Sequence, residues 1–280
     1  TGGTSAAVAA EIRALAPHVR LSVVALGTRM FGDRPVHREA CRELGDRQIA
    51  SEVRINVLEH AHKHGSTAVN VAKKYEVSRA DMDKFAQRSQ ELAVRSQEDG
   101  FFDREIVPVT TPDGTEVAKD DGPRASSTLE KLSQLDPAFK EDGKVTAGNS
   151  CPLNDGAAAV LLTSDEKAQE LGLKPRARVI ASATSGLEPE IMGVAPIGAI
   201  HNVLQKAGMT IADVDVVELN EAFAAQVIPI MEKCEIPLEK MNAHGGAIAL
   251  GHPFGMTGAR IMTTLLNNLD ALDGTIGLET

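Results

Sequence analysis

Val214-Asp215-Val216-Val217-Glu218-Leu219-Asn220-Glu221-Ala222-Phe223-Ala224-Ala225-Gln226 decides the fold class of this chain. Val214–Leu219 is apolar and rich in β-branched residues, so it reads as a strand. Ala222–Cys234 reads as a helix, with Pro229 as a kink. A strand that turns into a helix across two polar residues is an α/β unit. Polar residues at the carboxyl end of such a strand stand where α/β proteins bind ligands. Taken alone, Asn220 and Glu221 read better as helix-capping residues.

The same alternation extends to both sides. Ala157–Leu162 reads as a buried strand, Ser164 caps a short helix that Gly172 ends, and Arg176–Ser182 reads as another strand. Pro196 begins a helix that Gly208 stops. Beyond the central unit come a helix over Ala259–Leu269 and a last strand over Thr275–Leu278. This order predicts an α/β layered domain. Further upstream, Ser78 starts a helix, with Asp81 three residues on in the manner of a capping box, and Gly100 ends it. Glu105–Val109 reads as a short strand, followed by a turn at Pro112-Asp113-Gly114. Residues 119–150 are loop-rich, with a short helix near Ser127–Gln134. At the amino-terminal end, residues 4–16 read as a helix and Arg20–Leu26 as a strand. Residues 31–64 are charged and irregular. There His60, His62 and His64 alternate; on a strand they would share one face and could bind a metal, and otherwise they form a solvated patch.

Composition narrows the function classes. The chain has 280 residues, enough for one large or two ordinary domains, and 42% of them are hydrophobic. Aromatics are scarce at 3%, with no Trp, and the net charge is −10. Base-stacking platforms and basic stripes are therefore missing, which disfavours nucleic acid as a partner. Cys41, Cys151 and Cys234 are odd in number and widely spaced, against a disulfide framework or a zinc site, so a reducing, cytoplasmic location is expected. No apolar run approaches the ~18 residues of a membrane span. The chain starts at Thr1 without an initiator Met and stops at Thr280 in a strand-like stretch, so both ends read as cuts through structure.

Two further segments could carry chemistry. His244-Gly245-Gly246-Ala247-Ile248-Ala249-Leu250-Gly251-His252-Pro253-Phe254-Gly255-Met256-Thr257-Gly258 is a glycine-rich loop that feeds a helix. Its glycines allow backbone shapes closed to other residues, and Pro253 stiffens the backbone just after His252. An imidazole held there suits acid–base work, and a structural turn with an incidental His is the alternative. Gly148-Asn149-Ser150-Cys151-Pro152-Leu153-Asn154-Asp155-Gly156 gathers polar groups and turn formers before a strand, and taken alone it reads more readily as an ordinary turn.

Taken together, NEAFAAQ, GGAIALGHPFGMTGARI and TAGNSCPLNDGAAAVLL resemble the carboxyl-terminal half of the thiolase family. The stretches at 66–90, 102–109 and 186–199 agree, whereas residues 31–64 match poorly. The resemblance implies an α/β thiolase fold, layered helix–sheet–helix–sheet–helix, incomplete here and with an inserted loop domain. Residues 1–30 would be the tail of the first half, 31–150 the loop domain and 151–280 the second half.

The implied function is that of an acyl-CoA C-acyltransferase, forming or cleaving 3-ketoacyl-CoA by ping-pong transfer through a cysteine thioester. His252 matches the histidine that takes the thiol proton, and Asn220 the asparagine that completes an oxyanion hole through a water. Arg124 matches a basic position near the CoA nucleotide. Cys151 matches a position lining the pantetheine channel, and Met192 and Phe223 match positions near the acyl and pantetheine groups. Neither family cysteine is present, so the piece alone is expected to be inactive. Where many relatives carry Met and Glu, this chain has His64 and Val69, which leaves chain-length preference open. Acyl-CoA and CoA are the expected partners, with no metal or redox cofactor, no nucleic acid and no membrane. A homodimer or homotetramer is expected of the intact protein. A non-catalytic CoA-binding or assembly subunit is the alternative reading. A nicotinamide-dependent oxidoreductase is disfavoured, because G-x-G-x-x-G after a strand is absent.

Overall fold

A computed structural model describes residues 57–280, with side chains from residue 65. The expected helix at 4–16, the strand at Arg20–Leu26 and Cys41 lie outside the described residues.

Two long helices open the described region. Helix α1 spans Val57–Lys74 and α2 spans Arg79–Glu98. Ser78 caps α2, its side chain accepting from the Asp81 amide, and Gly100 leaves the helix end in the left-handed conformation at φ 72°. His60 and His62 fall within α1, as does His64, so the strand that would have aligned them is absent. The alternation that would place all three on one face of a strand is therefore not present.

Glu105–Val109 is also not a strand. Phe101–Arg104 forms a 3-10 turn, and the Glu105 carboxylate accepts from Thr264 Oγ1 at 2.9 Å and Asn267 Nδ2 at 3.0 Å. The two-residue strands β1 (Val109–Thr110) and β2 (Glu116–Val117) then pair antiparallel around the predicted turn. Helix α3 covers Leu129–Ser133 and α4 covers Asp165–Glu170, the latter capped by Ser164 as expected.

The flanks of α4 differ from expectation. Ala157–Leu162 and Arg176–Ser182 form no strand and lie largely exposed, with Leu162 at 73% and Val179 at 62%. Their apolar composition fits a strand buried on both faces. Among the described residues, however, no neighbouring strand takes up their backbone groups, and an unpaired strand is not stable alone.

The order is restored downstream. Helix α5 (Pro196–Ala207) begins on Pro196 and ends on left-handed Gly208. Strand β3 (Val216–Glu218) is fully buried and leads to α6 (Ala224–Lys233), with Pro229 inside it. A four-residue helix, α7 (Ala247–Leu250), lies within the glycine-rich loop, which was expected to be irregular throughout. Helix α8 (Thr257–Leu272) and strand β4 (Gly277–Glu279) complete the chain. β3 and β4 pair in parallel, Val216 opposite Gly277 and Glu218 opposite Glu279. A parallel pair needs a crossover, and the segment containing α6 to α8 supplies it.

The core joins these parts into one cluster. Val71, Met82, Val145, Val194, Ile200, Val217, Leu219, Ile230 and Met241 all belong to it. It therefore runs from α1 and α2 through β3 to α6. Cys234 is buried in the same cluster, as its place at the end of an apolar helix suggested. Gly245 marks the closest approach of the glycine-rich loop to α2. Its φ is 78°, and an added Cβ would lie 2.5 Å from the Ser89 carbonyl.

Candidate active site

Asn220 stands one residue beyond Leu219, where β3 has ended. Its amide donates to the Thr280 carbonyl at 2.8 Å, which continues the β3–β4 ladder by one more bond and fixes its position. His252 follows Gly251, whose φ is 91°, and lies five residues ahead of Thr257, the first residue of α8. Two side chains hold it. The His252 amide donates to Asn154 Oδ1 at 3.1 Å, and its Nδ1 lies 2.6 Å from Thr257 Oγ1. Gly251 is required there, since an added Cβ would come within 2.2 Å of Asn154 Nδ2.

The hydrogen-bond pattern selects one tautomer. Thr257 has one hydroxyl proton and donates it to the Pro253 carbonyl at 3.0 Å. Its oxygen must then accept from His252 Nδ1–H. The Thr257 contact therefore favours the tautomer with its proton on Nδ1 and the lone pair on Nε2. Asn220 Nδ2 lies against the same ring, 3.3 Å from His252 Nε2 and 3.4 Å from Nδ1. Asn220 Oδ1 is buried with no hydrogen-bond partner among the described residues. An acceptor buried in that way, beside an imidazole, suits a water or a substrate hydroxyl.

A buried carboxylate ties the pieces together. Glu221 accepts from Ser89 Oγ at 2.5 Å, from Asn242 Nδ2 at 2.7 Å and from the Ile248 amide at 3.3 Å. Asn242 also bonds both the amide and the carbonyl of Leu219 at 2.8 Å. Ser89 in turn accepts from the Gly246 amide at 3.1 Å. Helix α2, the end of β3 and the start of α7 thus share one polar knot. Burial pushes the Glu221 carboxyl up, and the bonds from Ser89, Asn242 and Ile248 oppose that shift.

The other predicted site residues are placed as follows. Ser150 bridges Phe223 in antiparallel fashion, and the Cys151 amide donates to the Ala222 carbonyl at 2.9 Å. Cys151 and Phe223 therefore belong to the same neighbourhood as Asn220. Burial pushes the Cys151 thiol up to about 12, so it is neutral near pH 7. Phe223 is buried and meets Phe139 edge-to-face at 6.0 Å. Arg124 is exposed. Its amide donates to Gln90 Oε1 at 2.7 Å, and Gln90 Nε2 reaches the Ile248 carbonyl at 3.2 Å. The 122–124 segment is thereby fastened to α7. Met192 is 38% exposed in a 3-10 turn; the next residue, Gly193, lies against Gln226, whose Nε2 reaches the Asn220 carbonyl at 3.5 Å. Asn154 and Thr257 were missed as holders of His252, although both stand within motifs singled out from the sequence. Nothing in their spacing distinguished them from ordinary turn residues.

Comparison with known proteins settles the family. The description "Thiolase, N-terminal domain" matches residues 4–166, and "Thiolase, C-terminal domain" matches 173–280. The chain belongs to the thiolase family. Among thiolase relatives, it is 49% identical over 210 residues to a "Probable acetyl-CoA acyltransferase" of Staphylococcus aureus (strain COL), covering 74% of this chain and 53% of that protein. A protein of the same description from Staphylococcus epidermidis (strain ATCC 12228 / FDA PCI 1200) is 49% identical over 209 residues, covering 73% and 53%. The chain thus spans about half the length of the curated thiolases it matches. The crystal structure of the Bacillus anthracis acetyl-CoA acetyltransferase superposes with a TM-score of 0.75 at 39% identity, covering 92% of this chain and 64% of that one. The thiolase fold is thereby shown.

Proposed function

We propose that this chain carries the acid–base side of an acyl-CoA C-acyltransferase, which forms or cleaves 3-ketoacyl-CoA through a cysteine thioester. The supporting observation is the His252–Asn220 pair: an imidazole beside a buried amide, on a loop locked to the end of β3. In this reading His252 accepts the proton of the attacking thiol and Asn220 orients a water that stabilises the developing oxyanion. Arg124 contacts the CoA nucleotide phosphates, and Cys151, Met192 and Phe223 line the pantetheine and acyl path. CoA thioesters are the substrates, with no metal or redox cofactor. The intact protein is a cytoplasmic homodimer or homotetramer. No helix among the described residues is long and apolar enough to cross a membrane.

Burial pushes the Cys151 and Cys234 thiols up, to about 12 and about 11, which argues against either as the nucleophile, and Cys41 lies outside the described residues. Because the resemblance finds neither family cysteine among them, the 280 residues alone are expected to bind CoA without forming an acyl-enzyme. That behaviour is shared with the second reading, a non-catalytic CoA-binding or assembly subunit. Thiolysis assays on the longest natural chain containing these residues separate the two. His252→Asn should lower kcat there by about 10²–10⁴-fold. Equal rates with and without the imidazole would end the acyltransferase reading, and absence of turnover in the parent chain would favour the binding subunit.

A further inference from the structure

A cavity of about 270 Å³ opens where the end of α2 and the 3-10 turn after it meet the start of the glycine-rich loop. Arg95, Ser96, Asp99, Phe101, Arg104 and His244 line it. None of these residues surrounds His252 or Asn220. We propose that this cavity is a binding site for a small oxyanion: a phosphate, sulfate or carboxylate group.

The charges support that assignment. Arg95 and Arg104 both face the cavity, and neither forms an ion pair among the described residues. Asp99 is the single acid in the lining, so the cavity is net cationic in a chain of net charge −10. A guanidinium offers a planar fork of donors, which matches oxyanions better than a point charge does. The wall is rigid. His244 stacks on Phe101 with ring centroids 3.4 Å apart and an angle of 10°. The Arg104 guanidinium lies 5.3 Å from the centre of the same Phe101 ring, and His244 Nδ1 is 2.8 Å from Ser96 Oγ. The volume suits an oxyanion with its water, being just below the ~300 Å³ at which drug-sized ligand pockets begin.

His244 reports on occupancy. Burial lowers its pKa first; the Asn268 side chain opposes this, Arg104 and Arg95 lower it further, and Asp99 raises it. Those groups, with Ser96, are the polar and charged neighbours that face it from α2, the 3-10 turn and α8. An anion between the arginines offsets their repulsion, so binding draws a proton onto the imidazole and tightens as pH falls.

The test is an NMR titration of the 280-residue chain with sulfate, which does not itself titrate in this range, at constant ionic strength. The His244 ring and the Ser96 amide should shift and saturate. Arg95→Gln and Arg104→Gln should each weaken binding by about tenfold, and the double variant should abolish it while keeping its circular dichroism. Separate titrations with inorganic phosphate and with CoA distinguish a free oxyanion from one carried on a nucleotide. A lack of saturation by about 50 mM sulfate, or saturation that survives in the double variant, would overturn the proposal. The readout is independent of His252, so it stands or falls apart from the acyl-transfer reading.

Discussion

Thr257 sets the proton position on His252, and that is open to a direct check. Thr257→Ala removes the acceptor at 2.6 Å from Nδ1 and leaves the ring free to exchange tautomers. Nitrogen-15 NMR should show a protonated Nδ1 and a bare Nε2 in the parent chain, and a mixture in the variant. A parent ring protonated on Nε2 would contradict the hydrogen-bond pattern. Cys151 makes a second case. Raised from 9.0 to about 12, its thiol is ionised roughly a thousandfold less at pH 8 than an ordinary one. Iodoacetamide should accordingly modify the Cys151 peptide far more slowly than a free thiol, measured by mass spectrometry. Fast alkylation would show that the thiol is not held in its buried setting.

At the scale of elements, Glu221 is the joint. Glu221→Ala would leave the Ser89, Asn242 and Ile248 donors without their shared acceptor. The expected cost is at least about 3 kcal/mol, since each of the three buried donors left unpaired costs about 1–3 kcal/mol. Glu221→Gln should cost less, because it keeps one acceptor. Urea midpoints check both, and unchanged midpoints in the Ala variant would remove Glu221 from the joint.

Much of this level was legible in the sequence. Local chemistry announces itself, so Ser78, Ser164, Pro196 and Gly208 mark helix ends that the structure keeps. The polar end of β3 and the glycine loop likewise pointed to Asn220 and His252. Pairing is not local. Ala157–Leu162 and Arg176–Ser182 have strand composition, but strands exist by virtue of neighbours that composition does not name. The roles of Asn154 and Thr257 are hidden for the same reason: an Asn that holds a distant His looks like any turn residue.

At the scale of the whole molecule, buried acids set the response to pH. Glu218, on β3, is pushed from 4.5 to about 8 by burial; Arg260 opposes this, and Glu221 and Glu105 add to it. Between those values the native state holds a proton that the unfolded chain has released, so stability falls as pH rises. Glu105, Asp120, Glu221 and Glu279 are shifted in the same sense. His244, lowered from 6.5, acts in the opposite direction, but only below that value. The urea midpoint should therefore drop between pH 6.5 and 8, with a shallower slope in Glu218→Gln. A midpoint that climbs over this interval would show that these acids are ionised in the native state.

The bond from Gly246 to Ser89 spans 157 residues of sequence. Helix α2 must therefore wait, already synthesised, until the ribosome has made most of the remaining residues of this chain. Its face bearing Ser89, Ala93 and Ser96 meets Gly246, Gly245 and His244, so these contacts stay unmade during that delay. Contacts of such long range slow folding and leave newly made chain prone to sticking. A chaperone that shields this face in the nascent chain would raise the yield of soluble protein more than one acting after release.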